Sequence, residues 1–162
     1  QSGSELNDGA NALTIAGDGD LVVSGYSQGA MGESHSGGYD VVLAKLSSDG
    51  EPRWVEQYGS LYNDYGNDVV VCGDELFVTG MGDGDLAGDG VGGNGDLFLL
   101  RISLEGALLW AREWGGATSE RGVGIACDAW GNPVIAGYAA GGFEGLVHQG
   151  GTDAFVVHTS RY

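Results

Sequence analysis

Short apolar runs, separated by clusters of Gly, Asp and Asn, recur along this chain and set the elements it can form. "NALTIA" (11–16), "NDVVVC" (67–72) and "GVGIAC" (122–127) each lead into a turn, "GDGD", "GDE" or "DAWGN". A second run follows each turn: "LVVSGY" (21–26), "LFVTGM" (76–81) and "PVIAGY" (133–138). The turn residues supply the positive φ angles that short hairpins need, so each pair predicts two antiparallel strands. A long glycine-rich loop then precedes a third strand, "DVVLAKL" (40–46), "DLFLLRI" (96–102) or "DAFVVHT" (153–159). A fourth is predicted at "RWVEQYG" (53–59) and "LWAREWG" (109–115), with no counterpart after the third copy. No stretch keeps a helical period for three turns.

The same landmarks keep one spacing. Gly25, Gly80 and Gly137 recur at steps of 55 and 57 residues, Asp40, Asp96 and Asp153 at 56 and 57, and Trp54 and Trp110 at 56. A four-stranded unit of about fifty residues, repeated, reads as propeller blades. The expected fold is therefore all-β: three tandem four-stranded β-propeller-type blades, the third lacking its outer strand. The blades are expected at 1–60 (with an N-terminal stub of closing strand), 61–116 and 117–162.

At "CDAWGNPVIAGY", "GGTDAFVVH" and "GALLWAREWGG" the chain resembles the bacterial β-propeller repeats called SBBP, and the likeness runs through all three copies. It departs from their D-x-x-G-N turn at "GDGD" in the first copy and "GDE" in the second. What this resemblance implies is a fold, since such repeats share no common reaction.

Three blades do not close a ring. Each end blade would leave one face bare, about 300 Å² from strand spacing and length, an area at which exposed apolar patches become binding surfaces. The N-terminal "QSGSELNDG" matches "QYGSLYNDYG" (57–66), so the chain starts at the end of a fourth strand and stops after a third. Its third-copy edge, at Asp153, Phe155 and Val157, is the expected interface. Three completions are open: another copy of the chain, in a closed dimer or an open polymer; a strand-donating partner; or further blades of a longer protein.

Composition narrows the partners. Six Lys and Arg against 23 Asp and Glu give a net charge of −17, which disfavours nucleic acid and anionic membranes. Cations, sugars and basic proteins remain compatible. The 33 glycines are about three times average usage without a collagen period, and 42% hydrophobic residues argue against disorder. No apolar run is long enough for a membrane helix. The start at Gln1 rather than Met fits a processed product or an excised piece, and the repeat type points to an exported, extracellular or cell-surface protein.

Candidate chemistry is sparse. In "GDGDLAGDGVGGNGD" (82–96), Asp83, Asp85 and Asp89 match positions 1, 3 and 7 of a calcium loop, with Gly88 at the turn, so Ca²⁺ is the cofactor to consider. Ala87 and Asn94 stand where two further ligands belong, and a solvated acidic turn is the rival reading. Asp40, Asp96 and Asp153 are expected to hold backbone N–H groups of the preceding turns. Lys45, Arg101 and His158, sharing one position, are expected to reach toward solvent. Cys72 and Cys127 are expected as buried free thiols, with a disulfide the alternative because blades converge toward the axis. His35 and His148, near Glu33 and Glu144, are expected as loop histidines, with metal or acid–base work the alternative. Trp54 and Trp110 are expected to pack between blades, whereas Trp130, in a hairpin turn, is the aromatic free to stack on a sugar.

No nucleophile, phosphate-loop or zinc motif is present. The expected role is binding or assembly without catalysis, through protein or glycan recognition and self-association. The alternative is a calcium-dependent polysaccharide-acting enzyme or a lectin module.

Overall fold

The computed structural model describes residues 2–32, 35–88, 90, 93, 95–143, 145 and 147–162. The described residues are all-β, with eleven strands in three antiparallel sheets. Sheet 1 runs in chain order through β1 (Asp8–Ile15), β2 (Leu21–Ser27), β3 (Asp40–Leu46) and β4 (Pro52–Tyr58). Sheet 2 repeats it with β5 (Asp64–Cys72), β6 (Glu75–Gly82), β7 (Asp96–Ser103) and β8 (Leu108–Trp114). Sheet 3 has β9 (Glu120–Cys127), β10 (Pro133–Ala139) and β11 (Asp153–His158), with β11 at its edge. No helix among the described residues is long and apolar enough to cross a membrane.

Each first strand begins about three residues earlier than its apolar run, because a bulge interrupts the alternation there. The register slips at Asn11 in β1, Asn67 in β5 and Val123 in β9, each the extra residue opposite β2, β6 or β10. The first hairpin of each sheet closes through a positive-φ glycine, Gly19, Gly73 or Gly131.

The sheets stack in order. β5 lies against β1, β2 and β3, and β9 against β5, β6 and β7. One core, between sheets 1 and 2, holds Val22, Val41 and Leu43 against Leu76, Val78, Phe98 and Leu100. The other, between sheets 2 and 3, holds Phe77, Leu97 and Leu99 against Ile135, Phe143 and Phe155. Strand alternation thus sends consecutive residues of β6 and β7 into two different cores, which is why both strands are almost wholly buried.

Two expectations are corrected. Cys72 and Cys127 are not free thiols: they form a disulfide between β5 and β9, with Cα atoms 6.0 Å apart. Stacked sheets are about 10 Å apart on average, but these first strands lie close enough for a bridge. Nor do Lys45 and Arg101 reach into solvent, whereas His158 stays largely exposed, as expected. Each turns back to a carboxylate at the first hairpin of its own sheet: Lys45 to Asp18 at 2.7 Å, Arg101 to Glu75, and His158 to Asp128 at 2.9 Å. The Asp18 hydrogen bond raises the pKa of Lys45.

Candidate binding surfaces and the carboxylate rim

Register identifies which faces remain open. Val41 and Leu43 of sheet 1, and Leu97 and Leu99 of sheet 2, point toward the following sheet and are fully buried. Their counterparts on β11 are Ala154 and Val156. Nothing described covers that face, so Leu99 is 0% exposed and Val156 71%. Val123 and Tyr138 are exposed beside it.

The opposite face is partly open on sheet 1, where Val42 is buried and Val23, Ala44 and Val55 are half-buried. Ala10, Val23, Val42, Ala44 and Val55 line an apolar groove there. Val42 and Ala44 hold the positions of Phe98 and Leu100, which in sheet 2 are packed against sheet 1.

The expected interface residues divide between these environments. Asp153 opens β11 and accepts a hydrogen bond from Gln149 N at 2.7 Å. Phe155 stacks on Phe143 with ring centroids 4.5 Å apart, and Val157 packs against the same core, so both side chains point toward sheet 2. The outward residues of β11 are Ala154, Val156 and His158, of which the sequence reading named His158 alone, as a residue reaching toward solvent. The parity of a strand gives two faces, and register alone says which one is covered.

Carboxylates gather where strands enter the sheets. Asp8, Asp64 and Glu120 open the first strands, and Asp40, Asp96 and Asp153 the third. Each first-strand acid clasps the turn before it. Asp8 accepts Ser4 N at 2.7 Å, Asp64 accepts Ser60 N at 2.6 Å and Ser60 Oγ at 2.9 Å, and Glu120 accepts Gly116 N at 3.2 Å and Thr118 Oγ1 at 2.7 Å. Asp40 Oδ2 accepts Ser36 N at 2.8 Å, the turn-holding role expected of it. His35 and His148 each place Nδ1 3.0 Å from the third-strand Asp, Asp40 and Asp153. The histidines therefore orient turns. Glu33 and Glu144 lie outside the described residues.

Burial leaves some of these acids short of partners. The Oδ1 atoms of Asp40, Asp64 and Asp96 and Oε1 of Glu113 are buried without a hydrogen bond. Desolvation lifts the Asp64 carboxyl to about 6, with Asp40 and Asp83 adding repulsion. Desolvation likewise lifts Glu113 to about 7, with Asp85 and Asp64 adding to it, and raises Asp96, with Glu120 and Asp83 adding to it.

In the acidic loop, Asp83 Oδ2 accepts Asn63 Nδ2 at 3.1 Å and Asp85 Oδ2 accepts Gly90 N at 3.0 Å. Asp89 lies outside the described residues, as do Val91 and Asn94. Among the described residues, no group of three or more His, Cys, Asp or Glu gathers as a metal centre. Trp130 is 80% exposed in its turn. Trp54 Nε1 donates to the Leu104 carbonyl at 3.0 Å, and Trp110 packs edge-on to Phe77.

No family model matches the chain. A stretch of 79 residues is 34% identical to the Regulatory protein FlaEY of Caulobacter vibrioides, covering 44% of this chain and 8% of that protein. The chain thus corresponds to a small part of that relative's length.

Proposed function

We propose that this chain is an exported, non-enzymatic β-propeller-repeat module of the SBBP type, working in binding and assembly. Its two open sheet faces dock copies of the chain head to tail. The observation that carries this reading is the contrast between Leu99, fully buried, and Val156, 71% exposed at the same position of the next sheet. The face of sheet 3 that carries Val156 is the face that sheets 1 and 2 each bury against a successor. The groove on sheet 1 is the face that sheets 2 and 3 each bury against a predecessor. Joining the two repeats an interface the chain already makes twice, and such a heterologous contact gives either a ring or an open array.

Three further features support the reading. The four-stranded order, with each sheet stacked on the last, is what consecutive propeller blades require. The edge of β11 is available for strand addition. The Cys72–Cys127 disulfide suits an oxidising compartment, as an exported protein meets. The regulatory role in the name of the Caulobacter relative belongs to that protein.

The test is Val156→Asp. A charge at this solvent-facing position leaves the melting temperature unchanged at dilutions where the parent chain is monomeric, but abolishes association measured by light scattering at higher concentration. Equal association of the variant and the parent chain would remove the proposed face from the account.

A further inference from the structure

Sheets 1 and 2 are built alike, and they differ at two positions that face one small volume. Ser27 pairs with Asp8 and Asp40 in sheet 1, and Gly82 pairs with Asp64 and Asp96 in sheet 2, so the two positions correspond. Gln57 on β4 and Glu113 on β8 correspond in the same way, opposite Val42 and Phe98.

In sheet 1 the chemistry is closed. Ser27 Oγ lies against Asp8 Oδ1 and 2.8 Å from the Gly29 carbonyl oxygen. Gln57 Oε1 accepts Met31 N at 2.6 Å and Gly32 N at 3.2 Å, while its Nε2 donates to the Gly29 carbonyl at 3.0 Å. Two donors, a hydroxyl and an amide, thus serve a carboxylate and a carbonyl.

In sheet 2 both donors are gone. Glu113 Oε2 holds the loop as Gln57 does, accepting Leu86 N and Ala87 N at 3.0 Å each. Its other oxygen stands where Gln57 of sheet 1 has an amide N–H donor, and Gly82 has no side chain. A Cβ at Gly82 would fall 2.6 Å from Asp64 Oδ1 and 3.5 Å from Glu113 Oε1, so both atoms border the space that Ser27 fills in sheet 1. Asp64 is 0% and Glu113 7% exposed, and both of these oxygens lack a partner. The Gly84 carbonyl, at the sequence position of Gly29, accepts Leu86 N at 3.1 Å.

We propose that this space is a calcium site, with Asp64 Oδ1 and Glu113 Oε1 as its protein carboxylate ligands. Two unpartnered carboxylate oxygens facing one gap beneath an irregular loop suit Ca²⁺, which takes six to eight oxygens in flexible geometry. They suit Mg²⁺ less, because it demands a near-ideal octahedron. The site differs from the Asp83, Asp85 and Asp89 spacing read along the loop: it lies under that loop and joins β5 to β8. Its occupation would tie residues 84–87 to the sheet through Glu113, leaving Asp83 and Asp85 to add negative potential from above.

The test is calorimetric titration of the chain with CaCl₂ after treatment with EGTA, alongside Glu113→Gln and Gly82→Ser. Each variant restores the residue of sheet 1; the first keeps the loop clasp and the second fills the space. The parent chain binds one Ca²⁺, and Glu113→Gln weakens binding by about 100-fold through the lost ligand charge. Gly82→Ser serves where the first variant fails to fold, and loses binding by exclusion. No calcium binding by the parent chain would overturn the proposal, leaving a proton or a water to fill the gap. Binding retained in both variants would overturn it equally, by placing the ion elsewhere.

Discussion

Asn67, the bulged residue of β5, donates its Nδ2 to the Gly122 carbonyl of β9 at 2.7 Å. Asn11, the bulged residue of β1, does the same to Gly66 of β5 at 2.9 Å. The bulge turns a side chain that would otherwise lie on the pleat toward the next sheet, where it meets a backbone carbonyl beside the next bulge. Val123 holds the third such position and has no donor. The junctions between sheets therefore combine an apolar face with polar staples, the bulge asparagines among them.

Replacing Asn67 by Val, the residue of the third copy, should lower unfolding free energy by about 1–2 kcal/mol, since it leaves a carbonyl unpaired at a packed junction. Arg121 also loses its 2.9 Å bond to Asn67 Oδ1. A urea midpoint unchanged from the parent chain would mean that the staple contributes nothing.

Reducing the disulfide, or replacing both cysteines by Ser, should cost up to about 4 kcal/mol on chain-entropy grounds for a loop of this size. Cys72 and Cys127 are 55 residues apart and join sheet 2 to sheet 3, so sheet 3 should loosen first. Hydrogen exchange with and without reductant reads this directly. Uniform protection in both states would count against a bridging role.

The buried acids make a pH prediction for chelator-treated protein. Asp64, at about 6, Glu113, at about 7, and Asp96, also raised, bind protons more tightly folded than unfolded. Their contribution is therefore full below the ordinary carboxylate range and is lost as pH rises through each folded value. Stability should decline between about pH 4 and pH 7, and Glu113→Gln should flatten the upper part of that decline. Below this range the trend reverses, because Asp8 and Asp18 have lowered values. Rising stability between pH 4 and 7 would contradict the burial of these acids.

Trp130 donates its backbone N–H to Asp128 Oδ1 at 2.8 Å, while its ring stands in solvent. Trp130→Ala should leave stability within about 0.5 kcal/mol, as for other surface changes. If the chain recognises glycans through this ring, the variant should lose signal on a glycan array. Equal signal from both proteins would dismiss Trp130 as the contact.

Strands were legible because alternation and glycine-rich turns are local signals, repeated at a fixed step. What escaped the sequence depended on register and on contacts between sheets. Asn11 and Asn67 open the first predicted strands, "NALTIA" and "NDVVVC", and only pairing reveals them as bulges. The partners of Lys45, Arg101 and His158 lie in turns of different length, so Asp18, Glu75 and Asp128 do not align as a column. The disulfide depended on how closely β5 approaches β9, which no spacing along the chain records. The gap over Gly82 needed two exchanges, Ser27 to Gly82 and Gln57 to Glu113, on strands far apart in sequence.

The central claim is that the exposed faces of sheets 1 and 3 are complementary and meet between copies of the chain. Sedimentation velocity over a dilution series tests it most directly. Because each copy carries −17, the series belongs at moderate salt, where repulsion is screened. The account predicts species larger than one chain that dissociate on dilution and that Val156→Asp removes. A single species of 16.6 kDa at every concentration would contradict it.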